Sequence, residues 1–342
     1  MKLPGFGVLA TLQNPAREIG KILDRLSIAP SGNLDTIDTE AVRIAALQVV
    51  RRRYESLTDY VADMNSYVEE AVNHRAQLVL FPAYTGLLPF SLLPRCEEEL
   101  ATLQIEEETG FPSAEAANRC LSFFSDVVYE IYYHTMSQLA ARHQVLIMAG
   151  STLYFDEEIL RHRAFLFDDT GSLVGFQDKV GLTAFEQALF VEEGQEINAF
   201  DTPLGAVVLV IAEDIHYYET GKVADSLGAQ LLLHPTAFAQ PHTAVDAAAG
   251  LNLRVQENRF YGVQSVLVGD SGLGLLLEGP CCVLAPNALL PAKNGIKEQG
   301  TGGTARAVLC TRLNLEALTG IVNPYTDDAN PAFLEKYIDR LY

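Results

Sequence analysis

Short, wholly apolar runs recur along this chain between stretches of helical periodicity. They constrain its fold more than any other feature of the sequence. Val145-Leu146-Ile147-Met148-Ala149 and Val207-Val208-Leu209-Val210-Ile211 contain no polar residue. Runs of that length read as strands buried on both faces. Leu78-Val79-Leu80-Phe81-Pro82 is a third, closed by proline, and Val42 to Gln48, which also holds Arg43 and Gln48, reads as a further strand. Between them, 59–74 places Val61, Met64, Val68 and Val72 at helical spacing, and 114–142 is also expected to be helical.

Strand and helix alternate again through Ala206–Ile211, Tyr218–Leu227 (helix), Ala229–Leu233, Ala244–Glu257 (helix) and Gly262–Val268. Gly274–Leu277, Cys281–Leu284 and Ala305–Leu313 are further expected strands. Arg163–Phe167 and Leu173–Gln177 flank the turn Asp168-Asp169-Thr170-Gly171 as a hairpin. The fold class is therefore α/β, with mixed rather than all-parallel sheets. Residues 1–40 read as an N-terminal extension ending in the turn Pro30-Ser31-Gly32-Asn33, 41–320 as one domain, and 321–342 as a tail. The tail carries Tyr325, Phe333, Tyr337, Ile338, Leu341 and Tyr342, an apolar set expected to pack on a second subunit or on the chain's own core.

Composition narrows the partners. Asp and Glu number 44 against 24 Lys and Arg, a net charge of −20. Such a surface repels phosphate backbones and anionic lipid, so neither nucleic acid nor a membrane surface is an expected partner. No apolar run reaches the ~18 residues of a bilayer span. The five cysteines (Cys96, Cys120, Cys281, Cys282, Cys310) show neither a disulfide framework nor metal spacing. A reducing cytoplasm is expected, with no metal and no cofactor.

Three segments are more specific. Leu78-Val79-Leu80-Phe81-Pro82-Ala83-Tyr84 ends the second strand. Gly175-Phe176-Gln177-Asp178-Lys179 follows the hairpin, with Leu182 and Glu186 beyond it. Val207–Ile211 leads into Ala212-Glu213-Asp214-Ile215-His216, with Glu219 downstream. In this order the segments resemble the nitrilase, or carbon–nitrogen hydrolase, superfamily. Arg254-Val255-Gln256-Glu257-Asn258 and Gly279-Pro280-Cys281-Cys282-Val283-Leu284-Ala285-Pro286 resemble two flanking motifs of the same family.

The resemblance implies a four-layer α-β-β-α sandwich, assembled into homodimers or higher homo-oligomers. It also implies a Glu–Lys–Cys mechanism on a non-peptide C–N bond. In that mechanism the Cys attacks an amide or nitrile carbon, the Glu moves protons, and the Lys stabilises the charge that develops. By the same resemblance, Lys179 takes the catalytic lysine's place and Glu186 that of a supporting carboxylate. Ala83 falls on the glutamate and Ala212 on the cysteine. Asp178 and Gly181 stand where relatives often carry basic residues and histidine.

A methyl group neither accepts a proton nor attacks a carbonyl. Loss of such a nucleophile costs on the order of a millionfold in turnover, about 8 kcal/mol of barrier. Cys281 and Cys282 read as buried structural thiols rather than substitutes. The sequence therefore implies a catalytically inactive homologue that binds a small amide, nitrile or carboxylate, or a protein partner, through the former active site. Tyr84, Glu213, His216 and His234 are the other candidates for that pocket. The alternative is an amidohydrolase whose Glu and Cys are both replaced in this chain.

Overall fold

The computed structural model describes residues 14–26, 34, 37–93, 114–238, 248–271, 276–321 and 332. The expected turn at 30–33 and the apolar tail lie outside this set, Ala332 excepted.

The chain opens with helix α1 (Pro15–Arg25) and continues through strand β1 (Val42–Val50), helix α2 (Leu57–Asn73) and strand β2 (Leu78–Leu80). The long helix α3 (Ala114–His143) precedes β3 (Leu146–Asp156), β4 (Ile159–Phe167) and β5 (Leu173–Asp178). A short helix α4 (Ala184–Ala188) leads to β6 (Ala199–Thr202) and β7 (Gly205–Leu209). Helix α5 (Tyr218–Ser226), β8 (Leu231–Thr236), helix α6 (Leu253–Glu257) and β9 (Tyr261–Asp270) follow. The last strands are β10 (Leu276–Leu277), β11 (Cys282–Leu284), β12 (Ile296–Gln299) and β13 (Ala307–Leu313).

Hydrogen bonds link the strands in the order β5-β4-β3-β2-β1-β9-β8-β7-β6. Pairing is mixed, as the hairpins imply. β1 is parallel to β2 and β9, whereas β3–β4–β5 and β6–β7 are antiparallel. The pleat sends alternate residues to opposite faces, and these form separate cores. Ile44, Ala46, Leu80, Met148 and Leu166 meet Leu209, Ile211, Leu233 and Val263 in one cluster between the two halves of the sheet. Leu47, Val79, Ile147 and Phe165 point the other way, onto α1, α2 and α3. Val208, Val210, Leu232 and Leu284 likewise face α5 and α6. Helix, sheet, sheet and helix are thus stacked around a central apolar layer, the expected α-β-β-α arrangement.

One expected segment gains detail and one expected helix needs amendment. Inside the expected N-terminal extension, α1 packs as part of the outer core. Ile19 and Leu23 are fully buried, and Gln138 and Arg142 of α3 donate to its carbonyls. The helix expected over 244–257 is continuous only from Leu253, because Gly250 adopts φ −86°, ψ −130° and breaks it. Residues 239–247 lie outside the described set.

Candidate active site

Lys179 follows the last residue of β5, and its backbone N–H donates to the His162 carbonyl of β4. Its side chain is fully buried. The ammonium lies 2.5 Å from Glu186 Oε2 and 2.7 Å from Glu213 Oε2. Burial alone would lower its pKa, but the two carboxylates raise it above the ordinary lysine value, so the amine is a cation.

Glu186 reaches this position through a capping box. Thr183 Oγ1 accepts from the Glu186 amide at 3.2 Å, and Glu186 Oε2 accepts from the Thr183 amide at 2.8 Å and its hydroxyl at 2.9 Å. Oε1 accepts from His162 Nδ1 at 2.5 Å and from the Tyr84 hydroxyl at 3.1 Å. Burial pushes this carboxyl upward, yet His162 and Lys179 overcome it and hold it well below the ordinary carboxylate range. The pair is legible in sequence as T-x-x-E just beyond a lysine.

His162 and Ser151 have no comparable sequence signature. They sit diagonally on β3 and β4, where Leu153 is opposite His162 and Ala164 opposite Ser151. An irregularity between Met148 and Ser151 sets that register. Ser151 Oγ lies 2.7 Å from His162 Nε2 and accepts from the Tyr84 amide at 3.1 Å. Tyr84 stacks on the His162 ring with centroids 4.7 Å apart. Its phenol is pushed well above its usual pKa by burial and by Glu186, so it remains a hydrogen-bond donor.

Ala83 is fully buried next to Tyr84, which takes a left-handed φ of 60°. Ala212, 4 % exposed, has φ 47° and opens the turn Ala212–His216, separated from the end of β7 by Val210 and Ile211. A left-handed alanine costs on the order of 1–2 kcal/mol unless its surroundings enforce it. Here they do. His234 Nε2 donates to the Ala212 carbonyl at 2.9 Å, and Asp214 accepts from the Val180 and Gly181 amides at 2.9 and 2.6 Å. Burial raises the Asp214 carboxyl to about 6 despite those two donors, and lowers His234 to about 4.

The structure therefore brings Lys179, Glu186, Tyr84 and Glu213 into direct contact, with Ala83 and Ala212 as the chain neighbours of Tyr84 and Glu213. His234 is buried behind Ala212 as its support. His216 is exposed at the end of the turn, and the hydrogen-bond partners of the Lys179 ammonium are Glu186 and Glu213 instead. Gly181 lies under Tyr217, whose ring would stand 2.3 Å from any Cβ placed there. A larger residue at 181 is excluded while Tyr217 holds that place. Asp178 is occupied by a bidentate pairing with Arg163, at 2.5 and 2.9 Å. Cys281 and Cys282 are both buried, and burial raises their thiols to about 11 and about 12, far from a thiolate at neutral pH. Among the described residues, no group of three or more His, Cys, Asp or Glu is arranged to hold a metal ion, and no helix is long and apolar enough to cross a membrane.

Comparison with known proteins agrees with this architecture. The chain is 24 % identical over 230 residues to a probable hydrolase, YhcX, of Bacillus subtilis, a match covering 67 % of this chain and 41 % of that protein. It is 23 % identical over 171 residues to the human omega-amidase NIT2, covering 48 % of this chain and 62 % of that one. The chain thus spans less than two thirds of the length of each of these two relatives. A double mutant of the amidase from Nesterenkonia sp. AN1, solved in complex with acrylamide, shares the fold at a TM-score of 0.62 and 21 % identity, over 88 % of this chain and 99 % of that one. Residues 43–318 match the carbon–nitrogen hydrolase family from end to end of the sandwich, and the chain belongs to that family.

Proposed function

We propose that this protein is a non-hydrolysing member of the carbon–nitrogen hydrolase family, and that it binds a small ligand at Lys179. In this reading Ala83 and Ala212 occupy the positions of the base and the nucleophile, and Lys179 with Glu186 is the remnant of the catalytic centre. The observation that carries the reading is a buried ammonium whose neighbouring segments end in methyl groups. A ligand polarised by Lys179 has no thiolate to attack it, and neither buried cysteine is ionised to substitute.

A second reading is supported by the backbone at Ala212. The left-handed turn is kept at a cost although alanine gains nothing from it. Such a turn suits a residue presented at a strand end, so the chain is also readable as an amidase in which Glu and Cys have been replaced. The gene sequence at codons 83 and 212 separates the two, since alanine codons there leave only the first. Self-association belongs to the same proposal. Tyr217, Tyr218, Val223 and Leu227 are exposed along α5 and at its two ends, and sedimentation would test whether they are covered in a dimer.

The deciding assay compares the wild-type chain with Ala83→Glu/Ala212→Cys on a panel of small amides and nitriles. No turnover by the wild type and turnover by the double variant is the expected result. Wild-type turnover abolished by Lys179→Ala would sink the non-hydrolysing reading.

A further inference from the structure

Lys179 is held by two carboxylates of opposite freedom. Glu186 is fully buried and accepts from Lys179, His162, Tyr84 and both groups of Thr183. Glu213 is 47 % exposed along its side chain, and its described hydrogen bond is the single one to Lys179. The residues on either side of it are fixed, Ala212 by its carbonyl to His234 and Asp214 by its carboxylate to the Val180 and Gly181 amides. Releasing Glu213 therefore needs only side-chain rotation into water, whereas releasing Glu186 would break the whole buried frame.

We propose that Glu213 is an internal latch that occupies the seat of a small monocarboxylate on Lys179, and that the ligand enters by displacing it. The proposal rests on the reading of this site as a binding site. The ligand class follows from the present occupant. A carboxylate already sits 2.7 Å from Nζ, and exchanging it for another leaves both the charge and the hydrogen bond unchanged. A neutral amide would leave Lys179 with Glu186 as its one carboxylate in place of two. The ligand must be small, because the lysine side chain itself has no exposed surface.

A tethered competitor lowers the apparent affinity by the fraction of time it is open. A latch closed about nine-tenths of the time weakens binding about tenfold. The test titrates the full chain with [1-13C]acetate at constant ionic strength, following the carboxyl resonance, for wild type, Glu213→Ala and Glu158→Ala. The last removes one charge at the exposed β3–β4 turn and controls for the change in net charge. Glu213→Ala should bind acetate at least tenfold tighter than wild type, with Glu158→Ala unchanged. A gain below tenfold, or no acetate binding by either chain, overturns the latch. An equal or larger gain for propanamide overturns the ligand class. Propionate appearing from propanamide with wild-type protein would instead strike the non-hydrolysing reading, and it is read separately in the same samples.

Discussion

His162 Nδ1 lies 2.5 Å from Glu186 Oε1, and neither side chain is exposed to water. Through Glu186 this contact fixes Lys179 from behind, and through Ser151 it ties the same frame to the backbone of Tyr84. The site is therefore a connected buried network, whose members should fail together.

Replacing Glu186 by glutamine leaves an amide N–H facing either Lys179 or His162. Breaking a buried ion pair from one side costs about 3–5 kcal/mol. Urea denaturation should show a loss of that order, and a loss under about 1 kcal/mol would mean that the network does not stabilise the fold.

The histidines set a pH dependence. Burial lowers His143 and His234 to about 4 from an ordinary 6.5. The unfolded chain therefore takes up protons first as pH falls. Their contribution is complete above pH 6.5 and is lost as pH drops towards 4, by up to about 3 kcal/mol each. His143→Gln, which can keep a hydrogen bond to Asn65, should flatten the stability curve between pH 6.5 and 4 relative to wild type. Parallel curves would contradict the assignment.

At Ala212 the φ of 47° tolerates glycine and resists branching at Cβ. Ala212→Gly should change unfolding free energy by no more than about 1 kcal/mol, because relief of strain offsets added chain entropy. Ala212→Val should cost about 2 kcal/mol or more. Equal effects of the two in a denaturant titration would show that the backbone at this turn is not enforced.

Gly150 supports the loop that carries Ala83. Its φ is +79°, and a Cβ there would stand 2.0 Å from the Pro82 carbonyl oxygen. That oxygen already accepts from Thr85 Oγ1 at 2.8 Å. Gly150→Ala should destabilise the chain by about 3 kcal/mol or more, visible as a lowered Tm or loss of soluble protein.

Arg163 stacks on Phe176 with its guanidinium 3.8 Å from the ring centre while clamping Asp178. Arg163→Lys keeps the charge but loses the planar fork. It should cost about 1–2 kcal/mol in thermal or urea unfolding, and no change would show that charge alone matters there.

Much of this molecule is local in origin. The apolar runs at 145–149 and 207–211 name their own strands, because a residue type buried on both faces of a sheet needs no partner to declare it. Lys179 and Glu186 were legible through the family resemblance of the segment around them, and the structure adds the local reason, a strand end and a capping box that fix both within a few residues of chain. Tertiary structure alone decided what meets them. Ser151 and His162 meet only because the β3–β4 register shifts after Met148, and side-chain pairing across strands follows register rather than composition. The contact of Glu213 with Lys179 depends on how the two halves of the sheet close on each other, and so does the seat of Tyr217 over Gly181. The sequence by itself determined which side chains would be available for a buried charged centre. Packing between distant segments decided which of them are enclosed in the buried network and which one, Glu213, keeps a half-exposed side chain.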